Sequence, residues 1–207
     1  MLHEYRTYTL HPSRLGEYAR LANEKAVPIR RDDYGKLLGF WVSEAGTLCQ
    51  VHHIWAYASL DARQAERARM WSNDRWRDEF IAFAWPTMQR QEVRFMAPRA
   101  PLVPPQAPAG LYEARIYRTV VGRFAEGAAF VAERPLPPGS ARVGVWTCES
   151  PQPNEVCELV AHADPAARFR AGASSSPAQA AWWEAHGDRL LEASSALLVP
   201  IAASPLQ

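Results

Sequence analysis

Leu2-His3-Glu4-Tyr5-Arg6-Thr7-Tyr8 opens the chain, and Leu111-Tyr112-Glu113-Ala114-Arg115-Ile116-Tyr117 repeats its Leu-x-Glu-x-Arg-x-Tyr pattern 109 positions later. Four residues matched in one register mark an internal duplication. Gly39-x-x-x-x-Glu44 matches Gly144-x-x-x-x-Glu149 and Val51 matches Val156, each at a displacement of 105, and Trp76 pairs with Trp182. Between the copies runs Pro98-Arg-Ala-Pro101-Leu-Val-Pro104-Pro105-Gln-Ala-Pro108, whose prolines forbid helix and favour an extended, semi-rigid spacer. The expected organisation is a first unit over 1–104, a linker over 105–110 and a divergent second unit over 111–207.

Within the first copy, Leu2 to Leu10 alternates as a strand and ends at His11-Pro12-Ser13. Leu15, Tyr18, Ala22, Ala26 and Ile29 then recur at helical spacing. Leu37–Glu44 and Leu48–Tyr57 read as strands joined by a turn at Ala45-Gly46-Thr47. Asp61 is the expected cap of a second helix, with Arg63, Glu66 and Arg69 on its solvated face. Met88–Met96 is a last strand. The order β-α-β-β-α-β is the ferredoxin-like arrangement. The second copy repeats it with Phe124, Ala128 and Val131 on its first helix, while Gly172-Ala-Ser174-Ser175-Ser176-Pro177 interrupts the second.

A sheet with both helices on one side leaves an apolar face that cannot stay wet. The fold class expected is therefore α+β: two tandem ferredoxin-like units packed sheet to sheet as an α/β barrel within one chain. Alternation puts Glu4, Arg6 and Tyr8 on one face of the first strand and Tyr5 and Thr7 on the other. The Glu-Arg-Tyr stripe is expected to look into the space between the sheets. Val51, His53, Trp55 and Tyr57 share a face of the third strand, and Glu158 takes the place of His53 in the second copy.

Composition removes several functions. With 23 Lys+Arg against 22 Asp+Glu, no basic surplus attracts nucleic acid or anionic lipid. No apolar run reaches the ~18 residues of a membrane span, and the charged opening reads as a soluble, cytoplasmic chain. Cys49, Cys148 and Cys157 form no CxxC pair and read as reduced thiols, with Cys49 a buried small side chain on a strand. No glycine-rich nucleotide loop or GxSxG elbow is present. His52 and His53 must point to opposite faces, so they build no metal site together. His3, His11, His162 and His186 read as surface or solitary residues.

Val51-His52-His53-Ile54-Trp55-Ala56-Tyr57-Ala58-Ser59-Leu60, followed by Arg63, Arg67, Trp71, Trp76 and Gln91-Glu92-Val93-Arg94-Phe95-Met96-Ala97-Pro98, resembles the NIPSNAP family. The opening strand resembles that family's too, and the resemblance covers the first copy almost end to end. It implies the dimeric α/β barrel superfamily, whose members include small monooxygenases, haem-handling enzymes and isomerases, so the fold leaves the chemistry open.

The candidate catalytic residues are His53 as a proton carrier with Arg6 and Tyr8, Arg6 holding a developing oxyanion. Glu4, Trp55, Tyr57, Glu113, Arg115, Tyr117 and Glu158 are the candidate substrate contacts, with Arg6 or Arg115 anchoring a carboxylate or phenolate. Against this, Glu4–Arg6 and Glu113–Arg115 also read as ion pairs that hold the sheets in register. Three functions stay open. The leading one is a small-molecule-binding protein or cofactor-independent enzyme of monooxygenase, isomerase or cyclase type, acting on an aromatic or polyketide-like substrate. The others are a haem protein using His53 and a non-catalytic protein-interaction module, which a cavity under ~300 Å³ favours. Self-association of the chain through edge strands is left open as well.

Overall fold

Alternating side chains with a β-branched and aromatic bias carry β1 over Leu2–Leu10, the predicted span. The computed structural model describes residues 1–170 and 176–207. After a 3-10 turn at Pro12–Arg14 come α1 (Leu15–Leu21), a π-helical stretch (Ala22–Ala26) and α2 (Val27–Arg30). Next are β2 (Lys36–Ala45), β3 (Gln50–Tyr57), α3 (Leu60–Trp71), a π-helical Trp76–Ile81, α4 (Ala82–Ala84) and β4 (Met88–Pro98). The second half gives β5 (Leu111–Thr119), α5 (Phe124–Glu133), β6 (Ser140–Ser150), β7 (Glu155–His162), α6 (Pro165–Arg170), α7 (Pro177–His186) and β8 (Leu190–Pro200). The protein is α+β, with each half in the order β-α-β-β-α-β. The predicted interruption at 172–177 falls outside the described residues except for Ser176 and Pro177.

Two compact units result: residues 1–95 with 199–207, and residues 96–198. The segment 99–110 between β4 and β5 carries no helix or strand, and both it and the last residues of the chain are fastened by hydrogen bonds. Within the second unit, Arg99 N–H donates to Val145 O and Val103 N–H to Val143 O, each at 2.9 Å. Within the first, Ile201 N–H donates to Phe40 O at 3.1 Å and Phe40 N–H to Ser204 Oγ at 3.0 Å.

In the first unit the strands lie in the order β4-β1-β3-β2, and the matching order in the second is β8-β5-β7-β6. Antiparallel register sets Arg6 beside His53 and Arg115 beside Glu158, so positions 53 and 158 are equivalent as expected. Both units carry a bulge at the same point, between Leu37 and Gly39 and between Arg142 and Gly144.

The first core forms between sheet and helices, where Tyr8, Val51 and Trp55 meet Tyr18, Leu21 and Phe80. The second joins Tyr117, Val145 and Val156 to Ala128, Val131 and Trp182. Tyr8 meets Tyr18 of α1 edge-on, with ring centroids 6.4 Å apart. The Glu4, Arg6, Tyr8 stripe therefore faces the unit's own helices, opposite to the expectation. Tyr18 and its apolar neighbours give the aromatic end of that stripe a dry partner, and α3 supplies a cation for its acid. The other face, with Tyr5, His52 and Ile54, is buried as well.

Smaller expectations change for local reasons. Ser59, not Asp61, caps α3, its Oγ accepting from Ala62 N–H at 3.1 Å. Cys49 lies in the β2–β3 turn at φ 57° rather than on a strand, partly exposed, with its thiol toward Pro12 O. Cys148 and Cys157 are buried side by side, Sγ to Sγ 3.4 Å.

The repeated Gly-x-Trp explains one signal that linked the halves. At each bulge the indole of Trp41 or Trp146 lies across the glycine two residues before it, occupying the space a Cβ would need. Both indoles are buried, which leaves the ring nowhere to retreat. Gly39→Ala is expected to cost about 1–3 kcal/mol through overpacking, seen as a melting temperature several degrees lower, with Gly144→Ala behaving alike. An unchanged melting temperature in both variants refutes the assignment.

Candidate functional site

A cavity of about 160 Å³ opens between the first sheet and its helices. Arg6 and Tyr8 of β1, Phe40 of β2 and His53 and Trp55 of β3 form its floor, and Tyr18, Met70 and Trp76 are among the helix residues that roof it. Arg30 and Arg67 also reach it, with half-buried Trp71 and exposed Trp85 among its lining. Of the predicted site residues, the structure brings Arg6, Tyr8, His53 and Trp55 to this cavity. Glu4 and Tyr57 stand behind it, each holding an arginine.

Glu4 is buried, accepts from Arg6 at 2.6 Å and binds Arg63 of α3. Burial alone raises its pKa, but Arg6 and Arg63 outweigh it and hold the carboxyl below the usual range. Arg63, expected on a solvated face, is thus turned inward by a buried acid that needs a second cation. The predicted pair of Glu4 and Arg6 forms, but it fastens the sheet to its own helix rather than to the other sheet.

Tyr57 does related work. Its hydroxyl accepts from Arg30 at 2.6 Å, Arg30 also donates to Tyr34 O at 2.8 Å, and its guanidinium stacks 3.2 Å over the Trp55 ring. Burial lowers the Arg30 pKa to about 10, which leaves it cationic at neutral pH, and no carboxylate among the described residues pairs with it. Arg67 has its pKa lowered by burial and by the neighbouring Arg6, and it forms no hydrogen bond or ion pair among the described residues. Neither Arg30 nor Arg67 was singled out for the site from the sequence. The buried Arg at the end of a helix carries no pattern of its own there.

His53 is buried against Tyr8 and Phe40, with ring centroids 5.0 and 4.7 Å away. The Trp55 indole N–H donates to His53 Nδ1 at 2.7 Å. An indole nitrogen only donates, so Nδ1 accepts and the ring's single proton sits on Nε2. Burial, reinforced by Arg6 and Arg30, pushes the His53 pKa well below 6.5. His53 is thus held as a neutral ring whose Nδ1 accepts from Trp55 and whose Nε2 carries the proton. The same tautomer removes the Nε2 lone pair an iron would need, and the cavity is sized for one ring, so the residues do not fit haem.

The second unit holds its own cavity of about 190 Å³, lined by Glu113, Arg115, Tyr117, Arg134 and Trp183 among others. The predicted residues thus divide between two cavities instead of lining one. Glu113 accepts from Arg115 at 2.7 Å and from both Nε and an Nη of Arg168, at 2.7 and 2.9 Å. His162 Nε2 lies 3.2 Å from it, so this histidine is buried and partnered rather than solitary. Glu158 accepts from Arg134 and Arg142, each at 2.8 Å, and from the Tyr117 hydroxyl at 3.3 Å. Burial and the nearby Glu158 push the Tyr117 hydroxyl up to about 12.

Among the described residues, no group of three His, Cys, Asp or Glu side chains could hold a metal ion, and no helix is long and apolar enough to cross a membrane.

The whole chain shares its fold with a provisionally named monooxygenase of Fusobacterium nucleatum, at a TM-score of 0.70 and 10% identity over 97% of this chain and 92% of that one. At that identity the likeness is one of fold, an α+β fold. The chain belongs to the NIPSNAP family: residues 3–101 match the NIPSNAP family model. A NIPSNAP family protein of Agrobacterium tumefaciens is 31% identical, covering 51% of this chain and 93% of that one, with a TM-score of 0.44. Protein NipSnap homolog 2 of Danio rerio is 33% identical over 97 residues, 47% of this chain and 33% of its own length. The chain thus spans about a third of that curated relative.

Three buried histidines carry a pH dependence. Burial holds His3 and His52 at about 4 and His53 well below 6.5, whereas the unfolded chain titrates near 6.5. Folded pKa values below the unfolded one mean that stability is complete above pH 6.5 and is lost as the pH falls toward the folded values. Each histidine contributes about 1.4 kcal/mol per pH unit within that window. The melting temperature is expected to fall steadily from pH 6.5 to 5, and less steeply in His52→Gln. A flat profile over that range, with Glu4 and Glu113 still ionised, contradicts this.

Proposed function

We propose that the first unit binds a small aromatic molecule beneath its helices, and that the chain is a cofactor-independent enzyme of the monooxygenase, isomerase or cyclase type. The carrying observation is the Trp55–His53 hydrogen bond, which leaves the imidazole with a single N–H donor in a cavity lined by aromatic and aliphatic side chains and by Arg6, Arg30 and Arg67. When a phenol or enol oxygen gains charge there, His53 Nε2–H and the Arg6 guanidinium, fixed by Glu4, stabilise the oxyanion. The aromatic walls supply stacking area for a planar ring. The cavity's size also restricts the ligand, since an apolar cavity of ~150 Å³ takes up a single benzene.

Repetition belongs to the same proposal: each half is one ferredoxin-like repeat, supported by its β-α-β-β-α-β element order.

A second reading, an interaction module without catalysis, is favoured by volume, because about 160 Å³ is below the ~300 Å³ of an ordinary ligand site. Exposed Phe83 and Trp85 beside the cavity would then meet a partner.

The two readings separate with 4-fluorophenol as a probe, its fluorine resonance followed in the presence of the full chain. The wild type is expected to broaden and shift it, and His53→Phe, which keeps the ring but deletes the donor, to weaken binding about 3–10-fold, the worth of one hydrogen bond. A resonance unaffected by the wild type, or equal affinity in the variant with an unchanged melting temperature, overturns the binding proposal.

A further inference from the structure

The two units differ at one position in a way that leaves a charge unanswered. In the second unit the strand position beside Arg115 is Glu158, and its carboxylate neutralises Arg134, the buried arginine that follows α5. In the first unit the same position, beside Arg6, is His53, held neutral by burial and by the Trp55 hydrogen bond. The corresponding arginine, Arg30 at the end of α2, is 3% exposed and finds only a tyrosine hydroxyl and a backbone carbonyl. Arg67 lines the same cavity with no hydrogen bond or ion pair among the described residues.

Glu4 gives neither of them a hydrogen bond, its two oxygens holding Arg6 and Arg63. Around the first cavity stand four guanidiniums, buried Arg6 and Arg30 and half-buried Arg63 and Arg67, with one buried carboxylate, Glu4. A guanidinium taken out of water without a counter-charge costs free energy, and an anion arriving in the cavity recovers it. The planar fork of arginine fits a carboxylate in particular.

We infer that the first unit recognises its ligand by a carboxylate or phenolate held by Arg30 and Arg67, and that Glu158 closes the second unit to such ligands by occupying the equivalent place. The inference rests on the small-molecule reading above and deepens it. Position 53 is the specificity-determining residue: histidine opens the site to an external anion, and a carboxylate there answers Arg30 from within. Arg6 and Arg115, the anchors expected from the sequence, are already committed to Glu4 and Glu113.

Benzoate and its neutral isostere benzamide are the probes, titrated calorimetrically into the full chain at low salt. Benzoate is expected to bind at least tenfold more tightly than benzamide. His53→Glu should weaken benzoate at least tenfold while leaving the melting temperature equal or higher, since it installs the counter-charge that Arg134 has in the second unit. Where that variant fails to fold, Arg67→Gln decides: it should weaken benzoate about tenfold and leave benzamide unchanged. Equal binding of the two probes, or benzoate binding untouched by Arg67→Gln, overturns the inference while the cavity reading stands. Binding of neither probe, together with no effect on 4-fluorophenol, overturns the cavity reading itself.

Discussion

A buried glutamate clamped between two arginines, one on its own strand and one on a helix, is the constraint around which each unit is organised. Glu4 takes Arg6 from β1 and Arg63 from α3, and Glu113 takes Arg115 from β5 and Arg168 from α6. Removing one partner from such a buried set costs about 3–5 kcal/mol, because the survivor keeps its charge without water. The clamp therefore does two things at once. It fixes which face of the sheet the helices cover, and it holds a strand arginine rigid at the edge of the cavity below them.

From that orientation the chemistry of the first unit follows. Tyr8 and Trp55 must lie on the clamp's face, since alternation along β1 and β3 gives them no other, and they become wall and floor of the cavity. Trp55 then fixes the tautomer of His53, and Tyr57 fixes Arg30. The second unit keeps the clamp but answers its remaining arginines with Glu158. The two cavities are similar in size but differ in pairing: Arg115, Arg134, Arg142 and Arg168 each meet a carboxylate, whereas Arg30 and Arg67 meet none among the described residues.

Much of this was legible in the residues. The Leu-x-Glu-x-Arg-x-Tyr repeat and the match of Gly39 with Gly144 pointed to two units, because both serve the same local geometry in each half. The strand-helix order followed from periodicity, and the pairing of Glu4 with Arg6 followed from a two-residue step on one strand. The faces were not legible. Alternation says that Glu4, Arg6 and Tyr8 lie together, but not on which side, and a charged stripe reads as the side away from an apolar helix. Arg63 looked solvated for the same reason, as its place in a run of charges hides the acid it reaches 59 residues away. His162 looked solitary because its partners, Glu113 and Ser140, are distant in the chain.

The sequence by itself determined the duplication, the element order and the family, since these rest on spacing along the chain, and spacing is what a sequence records. Tertiary structure alone decided that the Glu-Arg-Tyr stripe lies under the helices, that Arg30 and Arg67 reach the same cavity as Arg6, and that His53 Nδ1 accepts from Trp55. Each depends on which groups share a dry volume. Desolvation acts through space, so whether a charge has a counter-charge is settled only once the chain has folded around it.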